Sequence, residues 1–316
     1  VKSSEANYTS FWSFYALALA FACFGIYWMA FSLPAGYSPS MFMEVRDSIG
    51  LNHFSILVPL ALTVSYPLAL PSILFPLAPT LAAFLGSFAK GGMRQVRHLC
   101  SRLRPWRDGV EKTEGLRIYA MVLALNLGFL TLSYLVVVVA GSAEDQHVLE
   151  HNLRLHAPLL MILFFVMTNF LDTGGLLEEL GWRGYALPLL LRKMNSPLTA
   201  AVFLGVFWAL WHLPREVAPL LMGADVSEFL MSQLLFMAKS VGMTVVIVFF
   251  VNITGGSVLP AIMIHGVSNY IAETLRATPD SASLDVLWLI QMLVGVLLVV
   301  RYGANLGYRG QEHRQA

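Results

Sequence analysis

Glu178-Glu179-Leu180-Gly181-Trp182-Arg183 stands inside an otherwise almost wholly apolar run from Ala157 to Leu191. A run of that length reads as membrane-spanning helix, because a span needs about 20 mostly apolar residues. A charged side chain near the bilayer centre costs roughly 2.5–3.5 kcal/mol on insertion scales, so three of them in close succession must be compensated or used. Glu179 and Arg183 are four apart, share a helix face and can pair. Glu178 is rotated by about 100° from Glu179, so one arginine does not serve both acids equally. One acid reads as structural and the other as available for chemistry.

The rest of the chain agrees with a membrane environment. Of its 316 residues 57% are hydrophobic and 12% charged, against roughly 25% charged in soluble domains. A formal net charge of +1, with the charges sorted into loops, argues against a nucleic-acid partner. Two cysteines, Cys23 and Cys100, exclude a disulfide scaffold. The first apolar segment, near 11 to 33, is too long for a signal-peptide core and reads as a retained span, although Ala20-Phe21-Ala22-Cys23 faintly resembles a lipoprotein cleavage box.

Further spans are expected near 117–141, 157–180, 197–213, 230–251, 257–275 and 284–301. The segment 54–88 carries five prolines and reads as one broken span or a tight pair. The fold class is therefore all-α: a polytopic transmembrane helical bundle of about eight spans, forming a single domain over 1–316. Lys90, Arg94, Arg97, Arg102, Arg104, Arg107 and Lys112 place the loop after 54–88 in the cytoplasm, whereas Glu144, Asp145 and Glu150 place the next loop outside. That basic loop reads either as an amphipathic helix on anionic lipid or as an ordinary cytoplasmic loop.

Three polar groups interrupt the apolar helices: Glu178-Glu179 with Arg183, His212 four after Trp208, and Asn269 four after His265. Each set shares one helix face. A turn at Asn195-Ser196-Pro197 lies about 17 residues from both Glu178 and His212, so an antiparallel hairpin brings those two to similar depth. A carboxylate and an imidazole sharing a water can take its proton as it attacks a carbonyl and return one to the leaving amine. A second imidazole and an amide, His265 and Asn269, can donate to the oxyanion. A lone intramembrane histidine is often interhelical glue worth about 1 kcal/mol, and a buried ion network can be purely architectural. Three such motifs together favour a site. Lys239 lines a cavity, snorkels or pairs with Asp172, and His147, His151 and His156 mimic metal-ligand spacing in a polar loop.

Glu-Glu-x-x-x-Arg at Glu178, Glu179 and Arg183, aromatic-x-x-x-His at Trp208 and His212, and His-x-x-x-Asn at His265 and Asn269 resemble the motifs of the CAAX-protease and bacteriocin-processing (CPBP, or Abi) family of intramembrane endopeptidases. The resemblance runs from about Pro79 to the C-terminus. It departs from the family pattern at Trp208, where phenylalanine is usual. The resemblance implies a membrane endopeptidase acting on a membrane-associated or lipidated peptide or protein, with Glu178 as general base, His212 as its partner on the water, His265 and Asn269 as oxyanion donors, and Glu179 and Arg183 in support. A non-catalytic immunity or scaffold protein of the same family is the alternative, and a proton-coupled transporter is the third reading. No cofactor is expected; zinc held by Glu178, His212 and His265 is the minority reading, since a catalytic zinc takes three protein ligands. Membrane lipid is the expected surrounding, and the short loops point to a bacterial cytoplasmic membrane.

Overall fold

The computed structural model describes residues 8–32, 55–65, 67–107, 109–143, 146–147, 150, 158–217, 220, 223–275 and 282–308. Among these the chain is helical: α1 (Tyr8–Ser32), α2 (Leu57–Ser65), a 3-10 turn (Pro67–Ile73), α3 (Leu74–Cys100), α4 (Lys112–Ala140), α5 (Pro158–Leu171), α6 (Thr173–Gly181), a π turn (Trp182–Ala186), α7 (Leu187–Leu191), α8 (Pro197–Trp211), α9 (Leu213–Glu216), α10 (Val226–Ile253), α11 (Leu259–Leu275) and α12 (Ala282–Tyr302). Windows within five helical stretches, those of α1, α4, α8–α9, α10 and α12, are long and apolar enough to cross a membrane by length and composition. The protein is an integral-membrane helical bundle.

The proline-rich 54–88 segment is broken rather than continuous, with the 3-10 turn carrying Pro71 between α2 and α3. The expected 157–180 span is also broken. At Asp172 the backbone turns extended (φ −64°, ψ 135°), and its side chain accepts from the Gly175 N–H to start α6. A helix interruption at membrane depth must have its freed backbone groups satisfied by protein. The aspartate does this at its own N-cap, and the Ile56 N–H donates to the Leu171 carbonyl at 2.8 Å. After Gly181 the helix widens into the π turn, where the Leu187 N–H reaches back to the Trp182 carbonyl. Pro188 follows, whose ring would crowd the Gly184 carbonyl in a tight α turn.

Close backbone contact is set by glycine. A Cβ on Gly181 would lie 2.4 Å from the Pro79 carbonyl carbon of α3, one on Gly205 would lie 2.7 Å from the Val241 Cα of α10, and one on Gly266 would lie 2.2 Å from the Thr168 carbonyl oxygen of α5. Small residues replace the missing hydrophobic drive between helices in lipid by letting backbones touch. Polar side chains add to this. Asn126 of α4 donates to Asn169 Oδ1 at 3.0 Å and to the Met263 carbonyl at 3.2 Å, tying three helices.

The basic segment is helical in its first part. Helix α3 runs on to Cys100 after a kink at Gly91 and Gly92, the latter with φ 59°. The chain then docks on the α10–α11 turn, with Val258 N–H donating to the Arg102 carbonyl at 2.9 Å and Ser257 Oγ to the Arg104 carbonyl at 2.6 Å. Burial, with Arg107 and Arg192 nearby, pulls the Arg102 pKa down to about 10, so the loop keeps its positive charge at neutral pH. Cys23 lies within α1, and His151 and His156 fall outside the described residues.

The contacts at Gly266 and the open space around Gly128, which has no atom within 4 Å of an added Cβ, set up a matched pair. Gly266→Ala is expected to lower stability by about 1–3 kcal/mol through overpacking against a backbone carbonyl. Gly128→Ala in α4 should hold or gain up to about 1 kcal/mol from helix propensity. Thermal unfolding of the two purified variants in detergent reads the difference, and equal midpoints would contradict the packing described.

Candidate active site

The charged run is packed at the centre of the bundle. Glu178 is buried (4% exposed), and Glu179 and Arg183 are fully enclosed. Residues 178–183 remain in register across the end of α6, which lets Arg183 Nη1 reach Glu179 Oε1 at 2.7 Å as the spacing predicts. Arg183 Nη2 donates to Thr244 Oγ1 of α10 at 2.9 Å. Its guanidinium also lies over the Trp208 ring of α8, 4.7 Å from the centroid. A desolvated guanidinium over an indole face gains more than an exposed one, so three elements converge on one cation.

Glu179 Oε1 accepts a second hydrogen bond from His265 Nδ1 of α11 at 2.8 Å. The structural acid therefore does two things. It neutralises Arg183, and it turns the His265 ring so that Nε2 points away from the pair. What Nε2 faces is the start of α6: a Cβ placed on Gly174 would be 2.8 Å from His265 Nε2 and 3.0 Å from Asn269 Nδ2. The two groups singled out as oxyanion donors thus lie side by side against Gly174, whose lack of a side chain lets them approach the backbone this closely.

Glu178 is held differently. Its Oε2 accepts from Trp208 Nε1 at 2.9 Å, while Arg183 is committed to Glu179. A phenylalanine at this position would have no such donor, so the indole of Trp208 sets the polar contacts of the acid as well as the shape around it. The Trp208 ring is also within 5.5 Å of the His212 ring and 5.2 Å of the His265 ring, centroid to centroid. One indole consequently borders Glu178, His212, His265 and Arg183.

His212 caps the C-terminal end of α8, where its Nδ1 is 2.8 Å from the Trp208 carbonyl oxygen. A carbonyl only accepts, so Nδ1 carries the hydrogen and the neutral ring keeps its lone pair on Nε2. Behind it the Trp211 indole donates to the Ala18 carbonyl of α1 at 3.2 Å and stacks on Phe75 of α3 at 4.3 Å. These contacts fix the helix end that carries the imidazole.

All six residues singled out from sequence are therefore near one another, joined through Trp208, Glu179 and the first turn of α6. Three contributors were not legible. Thr244 is one of four hydroxyls in a 28-residue helix, the Trp208 donor reads as packing, and Asp172 reads only as a possible partner of Lys239. Asp172 accepts from Asn269 Nδ2 at 3.1 Å as well as from Gly175 N–H at 2.6 Å. Lys239, entertained as a partner of Asp172, has its ammonium 5.9 Å from the Trp288 ring centroid.

The donor set was also tested for metal. Among the described residues no three His, Cys, Asp or Glu side chains converge so as to hold an ion. His265 Nδ1 and Glu178 Oε2 are already engaged by protein.

Comparison with known proteins points the same way. Residues 156–271, from just before α5 into α11, match the family described as type II CAAX prenyl endopeptidase Rce1-like. The chain is also 24% identical over 188 residues to CAAX prenyl protease 2 of Methanococcus maripaludis, covering 59% of this chain and 67% of that protein. Both similarities are to CAAX prenyl endopeptidases, and with the apolar helices they support a membrane endopeptidase.

Glu179 is the residue whose loss the geometry makes most costly to the fold. Glu179→Gln leaves Arg183 charged and enclosed without its carboxylate, and breaking a buried pair in this way costs about 3–5 kcal/mol. A fall of that size in the unfolding free energy in detergent is expected. Stability equal to the parent would show that Thr244 and Trp208 suffice for the cation.

Proposed function

We propose that this membrane endopeptidase hydrolyses a peptide bond of a membrane-associated or lipidated peptide by direct attack of a water held between Glu178 and His212. The observation that carries the reading is the division of labour between the two acids: Arg183 and His265 bind Glu179, and among the described residues Glu178 is held through an indole N–H to one of its oxygens. A carboxylate in that position can accept a proton from water while the lone pair on His212 Nε2 orients the same molecule. As the hydroxide forms a bond to the carbonyl carbon, the oxyanion accepts from Asn269 Nδ2 and from His265 Nε2–H in the doubly protonated ring, for which Glu179 is the counter-charge. The proton taken from water then passes to the leaving amine as the C–N bond breaks. A network kept only for packing would need no second acid beside the paired one.

Substrate class follows from the relative rather than from the site. A prenylated CAAX peptide is the first probe, because the Methanococcus maripaludis relative is a CAAX prenyl protease by name. The short loops support a bacterial cytoplasmic membrane as its location. Membrane lipid is the medium from which a lipidated substrate would enter, and no nucleic acid takes part.

Glu178→Gln preserves shape and removes the base. It is expected to fold with an unchanged unfolding midpoint and to lose roughly 10²–10⁴-fold in turnover of a prenylated CAAX peptide. Full activity in that variant would overturn the assignment. Prolonged chelation should leave the parent's activity intact and purified protein should carry no stoichiometric zinc; activity lost on chelation and restored by about one zinc per chain would move the site to the metal-activated class.

A further inference from the structure

Asp172 belongs to none of the three motifs, yet it stands between two of them. It is a buried carboxylate, 2% exposed, at the break between α5 and α6. A single oxygen, Oδ1, accepts both from the Gly175 N–H at 2.6 Å and from Asn269 Nδ2 at 3.1 Å. The first bond starts the helix that carries Glu178, and the second holds an amide on α11. The two helices also touch through backbone here, since a Cβ on Gly175 would be 2.6 Å from the Ile262 carbonyl oxygen and one on Gly266 would be 2.9 Å from Asp172 Cβ.

An asparagine amide has two hydrogens and can rotate about its terminal bond. With one hydrogen on Asp172 Oδ1, the rotation is fixed. The other hydrogen remains for a ligand, and Nδ2 lies beside His265 Nε2, the two being 3.0 and 2.8 Å from where a Cβ on Gly174 would stand. We infer that Asp172 is a positioning residue for hydrolysis: by sharing one oxygen between the α6 N-cap and Asn269, it aims the free amide hydrogen at the oxyanion and registers it against Glu178. This rests on the reading of Asn269 as an oxyanion donor.

Two substitutions separate the roles of that oxygen. Asp172→Asn keeps Oδ1 and both hydrogen bonds. Asp172→Ser keeps a helix cap but is too short to hold Asn269. With the full chain in detergent and a prenylated CAAX peptide as probe, Asp172→Asn should stay within a few-fold of the parent. Asp172→Ser should lose roughly 10–100-fold in kcat, with KM little changed, and Asn269→Ala roughly 10²–10³-fold. The decisive variant combines Asp172→Ser with Asn269→Ala. If Asp172 acts through Asn269, the pair is no slower than Asn269→Ala alone, whereas independent effects multiply.

Thermal unfolding of each variant accompanies the kinetics. A multiplied loss in the double variant, or a folded Asp172→Asn that is inactive, overturns the positioning role; so does a fully active Asp172→Ser. If Asp172→Ser does not fold, the comparison of Asp172→Asn with the parent still decides. Full activity in Asn269→Ala, or no turnover by the parent, instead overturns the oxyanion reading on which the role rests.

Discussion

An enclosed guanidinium is the constraint around which this bundle is arranged. Arg183 has no exposure, and an uncompensated charge in an apolar interior costs several kcal/mol even after relaxation. The chain answers with a carboxylate four residues earlier, a hydroxyl from α10 and an indole face from α8. Each partner comes from a different element, so satisfying one cation draws α6, α8 and α10 to a common point. His265 joins from α11 through the same carboxylate oxygen. The catalytic reading depends on this arrangement, because only when Glu179 is fully committed is Glu178 left for a proton.

Helix breaks complete the arrangement. A straight helix from Pro158 to Leu191 would pass through the bundle without a free terminus at the level of His265. The break at Asp172 gives α6 its own first turn, opposite His265 and Asn269, and the glycines that follow keep that turn free of side chains. Beyond the acids the π turn and Pro188 re-aim the chain toward α7. The break at Asp172 and the π turn thus lie within about two turns on either side of Glu178 and Glu179, where helix-backbone groups are otherwise difficult to satisfy in lipid.

How much of this could be read in the sequence differs by kind of interaction. Local spacing was legible: Glu179 with Arg183 and the Ser196 cap before Pro197 are both contacts within one turn of helix. The hairpin that brings Glu178 near the His212 helix was legible from length alone. Contacts between distant segments through residues with no distinctive pattern were not. Thr244, the Trp208 N–H and the Asp172–Asn269 bond involve side chains whose types occur elsewhere in the chain without such a partner, and only the fold selects these copies. Among the described residues five helical stretches are long and apolar enough to cross by themselves, while α11 with 17 residues and the broken 54–88 and 158–191 segments do not separate into crossings by length alone.

The most direct test of the central claim is a density map of the protein at a resolution that places ordered water. A single water within about 2.6–3.2 Å of both the Glu178 carboxylate and His212 Nε2 is the result predicted. A metal ion at that position, or packed aliphatic side chains between Glu178 and His212, would contradict it.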